Sequence, residues 1–232
     1  MTSAIEVGRR ICRRIIDRTH GRYVLRRFRR GEAAHLGGLV FATDPEVLHP
    51  IYFRSTRVLL DAVLGLALPG RRFLDMGAGS GVIGMFAAAR GARVTACDIN
   101  PKAVALARAN FARNGLGGEV LESDLFGALG GRTFDLIAFN LPYLTGEARS
   151  PFEAALFGGR ELETVRRFAR GSVGALAPGG AVWVVYSEDA DGPRILAAFA
   201  EAGLCQVDHV ITHRLFERFH VASFHLASPG GS

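Results

Sequence analysis

The sequence predicts an α/β fold with a mostly parallel sheet that ends in an antiparallel hairpin. From about residue 71 onward, short apolar runs alternate with stretches of helical periodicity, a pattern typical of a parallel sheet covered by helices. A glycine-rich turn, Gly77 to Gly81, follows the first of these runs. Near the C-terminal end, only about residues 214–218 separate two predicted strands, and so short a linker cannot hold a crossover helix. The last two strands are therefore expected to pair antiparallel.

Residue types that begin turns and helices mark the individual elements. Gly37 and Gly38 indicate a turn beside a short strand that ends at Phe41. Ser55 or Thr56 is expected to cap the first helix of the core, and Asn100 before Pro101 to cap another. The predicted strands are 71–75, 93–98, 118–123, 134–140, 181–187, 206–212 and 219–227, and the predicted helices are 57–66, 82–90, 101–114, 159–176 and 191–203.

The glycine-rich turn lies between a strand that ends at Asp75 and the helix after it. Such a turn lets a ligand approach the backbone closely and meets it with the positive end of a helix. Gly79, Gly81 and Gly84 also match the dinucleotide pattern Gly-x-Gly-x-x-Gly, and Asp98 ends the next strand, where an acid can accept hydrogen bonds from both ribose hydroxyls. A nucleotide-like ligand is predicted, and an NAD(P)-dependent oxidoreductase remains an alternative.

A second motif, Asn140-Leu141-Pro142-Tyr143, ends another predicted strand. An Asn side chain and a backbone carbonyl beside a proline can accept the two N–H bonds of a planar amino or amide group, which fixes its nitrogen for in-line attack on a methyl group. Tyr143 can stack on the plane of that group. A strand followed by an ordinary proline turn would contain the same residue types. The position after a glycine-rich turn favours the functional interpretation.

Together the two motifs resemble those of class I S-adenosylmethionine-dependent methyltransferases. Asp75 to Gly81 resembles that family's first motif, Asp/Glu-x-Gly-x-Gly-x-Gly. From about residue 50 to its end, the chain is similar to the glutamine side-chain amide methyltransferases that modify peptide-release factors. The other matching segments are Asp98 to Pro101, Asn110 to Asn114, Ser123 to Leu125, Asn140 to Tyr143 and Glu153 to Arg160. The resemblance implies a Rossmann-like, seven-stranded class I methyltransferase sheet and S-adenosylmethionine as cofactor.

The resemblance also implies roles for individual residues. Asp75 would help anchor the donor's ammonium group, and Asp98 would hold its ribose. Asp124 would bind the adenine amino group, and Leu125 would lie on the adenine face. The implied cofactor-binding residues are Asp75, Gly77, Ala78, Gly79, Asp98, Ile99, Asp124, Leu125 and Asn140, and the implied catalytic residues are Asn140, Pro142 and Tyr143.

Two positions depart from the family pattern. Leu141 stands where the family has proline, and Ser55-Thr56 stands where it has Asp-Thr. Both departures bear on the identity of the methyl acceptor and not on the donor. We therefore predict an N-methyltransferase that acts on a planar amide or amino nitrogen, either of a protein glutamine or of a small metabolite.

The N-terminal part of the chain is strongly basic. Residues 1–30 contain ten arginines and two acids, a net charge of +8 in a chain whose total is +6. Isoleucines among these arginines indicate one or two basic amphipathic helices. We expect residues 1–55 to form a basic extension and cap, and residues 56–232 to form the methyltransferase domain. Binding of RNA through the extension is a less favoured alternative.

Composition limits the remaining function classes. Hydrophobic residues make up 49% of the chain, enough for a full core in one α/β domain. The sequence contains no run of 18 apolar residues and no apolar stretch behind its N-terminal charges, so we expect a cytoplasmic enzyme without a membrane span. Three distant cysteines and seven scattered histidines indicate neither disulfides nor a metal site, and His49 is the histidine that most merits mutation.

Overall fold

A seven-stranded sheet forms the centre of the protein. The computed structural model describes residues 33–49, 51–214 and 217–227, so the predicted basic helices of residues 1–30 lie outside the described residues. A separate hairpin consists of β1 (Ala34–Leu36) and β2 (Leu39–Phe41). The sheet consists of β3 (Arg72–Met76), β4 (Arg93–Asp98), β5 (Glu119–Glu122), β6 (Phe134–Asn140), β7 (Leu176–Ser187), β8 (Leu204–Arg214) and β9 (Glu217–Leu226).

The strands of the sheet lie in the order β5-β4-β3-β6-β7-β9-β8. The first five strands of this order are parallel, whereas β9 runs antiparallel to both β7 and β8. The chain moves outward from β3 through β4 to β5 and then returns to the other side of β3 with β6. Ligands of parallel sheets bind where the strand order reverses in this way. The predicted fold class, including the C-terminal antiparallel hairpin, is confirmed.

Helices cover both faces of this sheet, and the sheet separates two hydrophobic clusters. They are α1 (Arg54–Leu64), α2 (Val82–Ala89), α3 (Pro101–Arg113), α4 (Pro151–Ala154), α5 (Glu163–Ala175) and α6 (Gly192–Glu201). The first cluster joins α1, α2 and α3 to one face of the sheet. The second joins α5 and α6 to the other face, where Phe199 and Phe224 stack with ring centroids 4.1 Å apart. No helix in the described part of the chain combines the length and the apolar character needed to cross a bilayer.

Two predicted helix starts are wrong. The first core helix begins at Arg54 after Phe53, which offers no side-chain oxygen, so Ser55 and Thr56 lie inside the first turn and do not cap it. The helix predicted from residue 159 begins at Glu163, because Gly159 and Leu162 have φ values of +98° and +56° that a helix cannot contain. The prediction for Asn100 is confirmed, since its side chain accepts a hydrogen bond from the Lys102 N–H at 3.0 Å.

Two asparagines of α3 tie the N-terminal hairpin to the domain. Asn114 accepts a hydrogen bond from the Val40 N–H at 2.9 Å and donates one to the Val40 carbonyl at 2.8 Å. Asn110 likewise accepts a hydrogen bond from the Ala42 N–H at 2.7 Å and donates one to the Ala42 carbonyl at 3.3 Å. Each carboxamide thus pairs with both backbone groups of one residue, as a neighbouring strand would. The tether directs the chain after β2 toward the carboxyl edge of the sheet.

Candidate functional site

A cavity of about 510 Å³ lies at the carboxyl edge of the sheet. The final residues of β3, β4 and β6, which are Met76, Asp98 and Asn140, all line it. Its volume falls in the range of small-molecule and cofactor sites. The position agrees with the reversal of strand order beside β3, so the fold itself indicates a ligand site here.

The glycine-rich turn forms one wall of the cavity. Gly77 has a φ of +62°, and a Cβ at this position would lie 2.7 Å from the Phe139 ring. Glycine is therefore required here, because other residues rarely adopt a positive φ and because the Phe139 ring fills the space that a side chain would need. Gly79 and Gly81 also have positive φ values. The turn therefore presents bare backbone to the cavity immediately before α2.

Asp75 lies beneath this turn and is 3% exposed. Its Oδ2 accepts a hydrogen bond from the Gly84 N–H at 2.8 Å. Burial raises the pKa of Asp75 to about 7, the Gly84 N–H opposes that rise, and the charge of Asp98 adds to it. A cationic group bound in the cavity would stabilise the ionised form of this carboxyl.

Asp98 at the end of β4 is held by backbone N–H groups. Its Oδ2 accepts from Gly79 and its Oδ1 from Asn100, both at 2.8 Å. Burial raises the pKa of Asp98, and these N–H donors act against the rise. Each carboxylate oxygen can accept more than one hydrogen bond, so this orientation leaves acceptor capacity for a ligand hydroxyl.

The loop after β5 forms a further wall. Ser123 Oγ donates to the Leu125 carbonyl at 2.7 Å, and Leu125 is buried with a φ of +51°. Asp124 is exposed at the rim and forms an ion pair with Arg167 of α5 at 2.7 Å. Ile99 lies nearby and is 53% exposed, although it lines the cavity. An apolar side chain so placed gives a planar ligand a surface to pack on.

The Asn-Leu-Pro-Tyr motif lies beside the glycine-rich turn. Asn140 Nδ2 donates to Thr56 Oγ1 of α1 at 3.1 Å, and the Leu141 N–H donates to the Val185 carbonyl at 3.3 Å. Asn140 and Pro142 line the cavity. The motif is thus fixed to both α1 and β7.

Tyr143 takes a different position from the one expected. It lies outside the cavity lining and packs against the second hydrophobic cluster. Burial raises the pKa of its phenol, and hydrogen bonds with Ser187 and Ser55 oppose that rise.

Of the predicted site residues, the structure brings ten to the cavity: Asp75, Gly77, Ala78, Gly79, Asp98, Ile99, Asp124, Leu125, Asn140 and Pro142. His49 also lies outside the lining and packs on Tyr52, with ring centroids 4.1 Å apart.

Sequence reasoning missed two segments that line the cavity. The first is residues 46–48, which we call the strap, where Val47 packs close to Gly79 and the Glu46 carbonyl accepts from Asn100 Nδ2 at 3.1 Å. The second is residues 147–160, which we call the outer wall and which contributes Phe152 and Phe157. No local pattern marks the strap, because long-range contacts place it. For the outer wall, the resemblance of Glu153 to Arg160 to a segment of the family is the sequence feature that could have indicated a place in the cavity.

Comparisons with known proteins show which family the sequence resembles. Residues 53–210 match the family model described as the methyltransferase small domain. The chain is 37% identical over 169 residues to the ribosomal RNA small subunit methyltransferase C of Chromohalobacter salexigens, covering 71% of this chain and 47% of that protein. It is 36% identical over 143 residues to the release factor glutamine methyltransferase of Deinococcus radiodurans, covering 57% of this chain and 51% of that protein. The chain thus spans about half the length of these two relatives.

A solved structure has the same fold. It is that of the E. cuniculi Mtq2-Trm112 complex, responsible for methylation of the eRF1 translation termination factor. The TM-score is 0.62 at 22% identity, and the alignment covers 78% of this chain and 99% of that chain.

Proposed function

This chain belongs to the methyltransferase small domain family, and from that premise we propose that it transfers the methyl group of S-adenosylmethionine to the nitrogen of a planar amide or amino group. Membership confirms the methyltransferase class predicted from the two motifs, and it favours that class over an NAD(P)-dependent oxidoreductase. The observation that carries the proposal is one cavity that joins the glycine-rich turn to Asn140 and Pro142. A donor held by the turn would lie beside a nitrogen held by the motif.

The donor subsite follows from the positions of the acidic and apolar residues. Asp98 would accept hydrogen bonds from the ribose hydroxyls, because its carboxylate is already oriented by Gly79 and Asn100. Asp75 would stabilise the donor's ammonium group from beneath the turn. Ile99 and Leu125 would pack on the adenine, with Asp124 at its amino group. The resemblance implies these roles for Asp75, Asp98, Asp124 and Leu125, whereas the role of Ile99 follows from its place in the lining; the shared cavity supports all of them.

The chain's contribution to the reaction is alignment and removal of water. When bound, the donor would supply a methyl group on a sulfonium sulfur, and that sulfur would keep the electron pair of the broken C–S bond as the new C–N bond forms. Asn140 Oδ1 and the Leu141 carbonyl would accept the two N–H bonds of the acceptor, which directs the nitrogen lone pair toward that methyl group. The acceptor nitrogen would release its proton to water. Alignment of this kind supplies up to roughly 7–11 kcal/mol in favourable cases.

A protein glutamine is the acceptor that we favour. Its side-chain amide is planar and offers two N–H groups, as the motif requires. The relative from Deinococcus radiodurans is named for release factor glutamine methylation. Gly158, in the segment that resembles the glutamine methyltransferases, packs directly on the Pro142 carbonyl. A small metabolite with a similar amide would meet the same chemical demands.

Ribosomal RNA is the second candidate. The relative from Chromohalobacter salexigens is named as a ribosomal RNA methyltransferase, and the exocyclic amines of bases are planar nitrogens too. The net charge of +8 in residues 1–30 suits RNA phosphates. If ribosomal RNA is the acceptor, residues 1–55 act as a basic extension and cap for a methyltransferase domain of residues 56–232. Cytoplasmic location remains a prediction for either acceptor.

Methyl transfer from tritiated S-adenosylmethionine tests the proposal. Separate reactions contain a peptide-release factor and small-subunit ribosomal RNA, with the Asn140→Ala variant as control. We expect label in the release factor, recovered as methylated glutamine and reduced at least 100-fold by the substitution. Label in the RNA instead would support the second candidate. Label in neither substrate would contradict both acceptor assignments.

A further inference from the structure

The first turn of α1 reaches the acceptor-binding motif from a distant part of the sequence. Thr56 accepts a hydrogen bond from Asn140 Nδ2 at 3.1 Å, across a separation of 84 residues. Thr56 is 8% exposed and lines the same cavity as Asn140. The hydrogen bond is part-buried at the cavity wall, so breaking it would leave a polar group of Asn140 or Thr56 with reduced access to water.

The orientation of the Asn140 carboxamide decides what it offers to an acceptor. One end of a carboxamide accepts hydrogen bonds and the other donates them. With Nδ2 directed at Thr56, Oδ1 is turned the other way and can accept an N–H from the substrate. The reversed orientation would place an NH₂ group against another N–H donor, which repels it and misaligns the nitrogen.

Ser55, which precedes Thr56, contacts the other end of the motif, at Tyr143. Ser55 is 6% exposed and hydrogen bonds with the phenol of Tyr143, as does Ser187 at the end of β7. Arg54, which begins α1, forms a partly buried ion pair with Glu217 of β9. The start of α1 is therefore anchored on the sheet, and two consecutive hydroxyls on it contact both ends of the motif.

We infer that Thr56 is a positioning residue that orients the Asn140 carboxamide for methyl transfer, with Ser55 steadying the turn at Tyr143. This inference rests on the proposed function, because orientation matters only if Asn140 receives the acceptor. Thr56 contacts the Asn140 carboxamide and acts through it. Only the hydroxyl is required for this role, so serine can replace threonine whereas valine, of the same shape, cannot.

Side-chain amide hydrogen exchange of Asn140, followed by NMR, tests the contact without any acceptor. In wild type and in Thr56→Ser the Asn140 Nδ2 hydrogens exchange slowly, whereas in Thr56→Val they exchange at least tenfold faster. Thr95→Val is the matched control, because Thr95 is also buried but lies in β4 away from the motif. Equal exchange rates in Thr56→Val and wild type would overturn the inference.

Kinetics then separate positioning from folding. With the acceptor that wild type methylates, Thr56→Val should lower kcat at least tenfold and leave the KM of the donor and the Kd of S-adenosylhomocysteine within twofold. Thr56→Ser should restore kcat to within threefold of wild type, and Thr95→Val should not change it. A Thr56→Val enzyme with wild-type kcat, or one whose loss Thr56→Ser shares, would overturn the role. If wild type itself methylates no acceptor, the proposed function fails, and the exchange experiment still decides whether Thr56 holds Asn140.

Discussion

Asp75 shows how the site is built at the scale of one residue. A carboxyl group that is 3% exposed loses most of its hydration, and only partial compensation comes from the Gly84 N–H at 2.8 Å. Its pKa rises to about 7 for this reason. The ligand-free protein therefore holds a carboxyl group that keeps its proton up to about pH 7. A bound cation would favour loss of that proton, which links donor binding to ionisation.

The raised pKa of Asp75 predicts a pH dependence of stability. The ordinary pKa is 3.8 and the folded value about 7, so between these values the folded protein retains a proton that the unfolded chain has lost. The free energy of unfolding should therefore fall as pH rises from about 4 to about 7, and then level off. Urea unfolding of the ligand-free protein at pH 5 and pH 7.5 measures this difference.

Asp75→Asn is the matched variant, because asparagine has a similar shape and does not titrate. Its free energy of unfolding should change less between the two pH values than that of wild type. Some slope should remain, since burial also raises the pKa of Asp98. An identical pH dependence in the two proteins would show that Asp75 is not the group responsible.

At the scale of elements, the outer wall depends on close backbone contact with the motif. A Cβ at Gly158 would lie 2.2 Å from the Pro142 carbonyl oxygen. Gly158 is further fixed by a hydrogen bond from its N–H to the Leu144 carbonyl at 2.9 Å. The wall and the turn after β6 therefore share one packed geometry.

We predict that Gly158→Ala displaces this turn. Because the clash involves backbone on both sides, methyl transfer should fall at least roughly tenfold, as expected when a reacting group moves by about an ångström. Gly174→Ala in α5 is the control, because apart from its own turns of helix no described residue comes within 4 Å of a Cβ there. Methyl-transfer rates and thermal unfolding of both variants provide the measurement. Unchanged activity in Gly158→Ala would mean that the contact does not hold the motif.

The N-terminal hairpin gives a second prediction at this scale. Asn114→Ala removes both hydrogen bonds to Val40 and should lower the free energy of unfolding by about 1–3 kcal/mol, since each typically contributes about 1 kcal/mol. Hydrogen exchange at the Val40 amide should become faster. Arg113→Ala, one residue earlier and exposed, is the control. Val40 exchange that is equal in the two variants would contradict the tether.

At the scale of the whole molecule, local patterns predicted the architecture well. The alternation of strands and helices, the Asn100 cap and the short linker before β9 are all local, and they define the sheet and its antiparallel end. The glycine-rich turn and the pair Asn140 and Pro142 indicate the cavity for a similar reason. Each follows a strand, and the carboxyl ends of parallel strands meet at one edge.

Contacts between distant segments could not be predicted. The strap reaches the cavity through Asn100, Asn110 and Asn114, whose partners lie 54 to 74 residues away. The start of α1 was misplaced because Ser55 and Thr56 resemble capping residues, whereas tertiary contacts with Tyr143 and Asn140 hold them inside the helix. For Tyr143 the sequence predicts stacking on the plane of the acceptor group, whereas in the structure its ring packs against the second hydrophobic cluster.

The central claim is that this cavity holds a methyl donor, and calorimetric titration with S-adenosylhomocysteine tests it most directly. NADH is titrated in parallel, Asp98→Ala is the binding-site variant, and Asp208→Ala on the exposed strand β8 is the control. We predict micromolar binding of S-adenosylhomocysteine, weakened at least tenfold by Asp98→Ala and unchanged by Asp208→Ala, because hydrogen bonds to a charged group contribute about 1.5–3 kcal/mol. Binding of NADH without binding of S-adenosylhomocysteine would contradict the account.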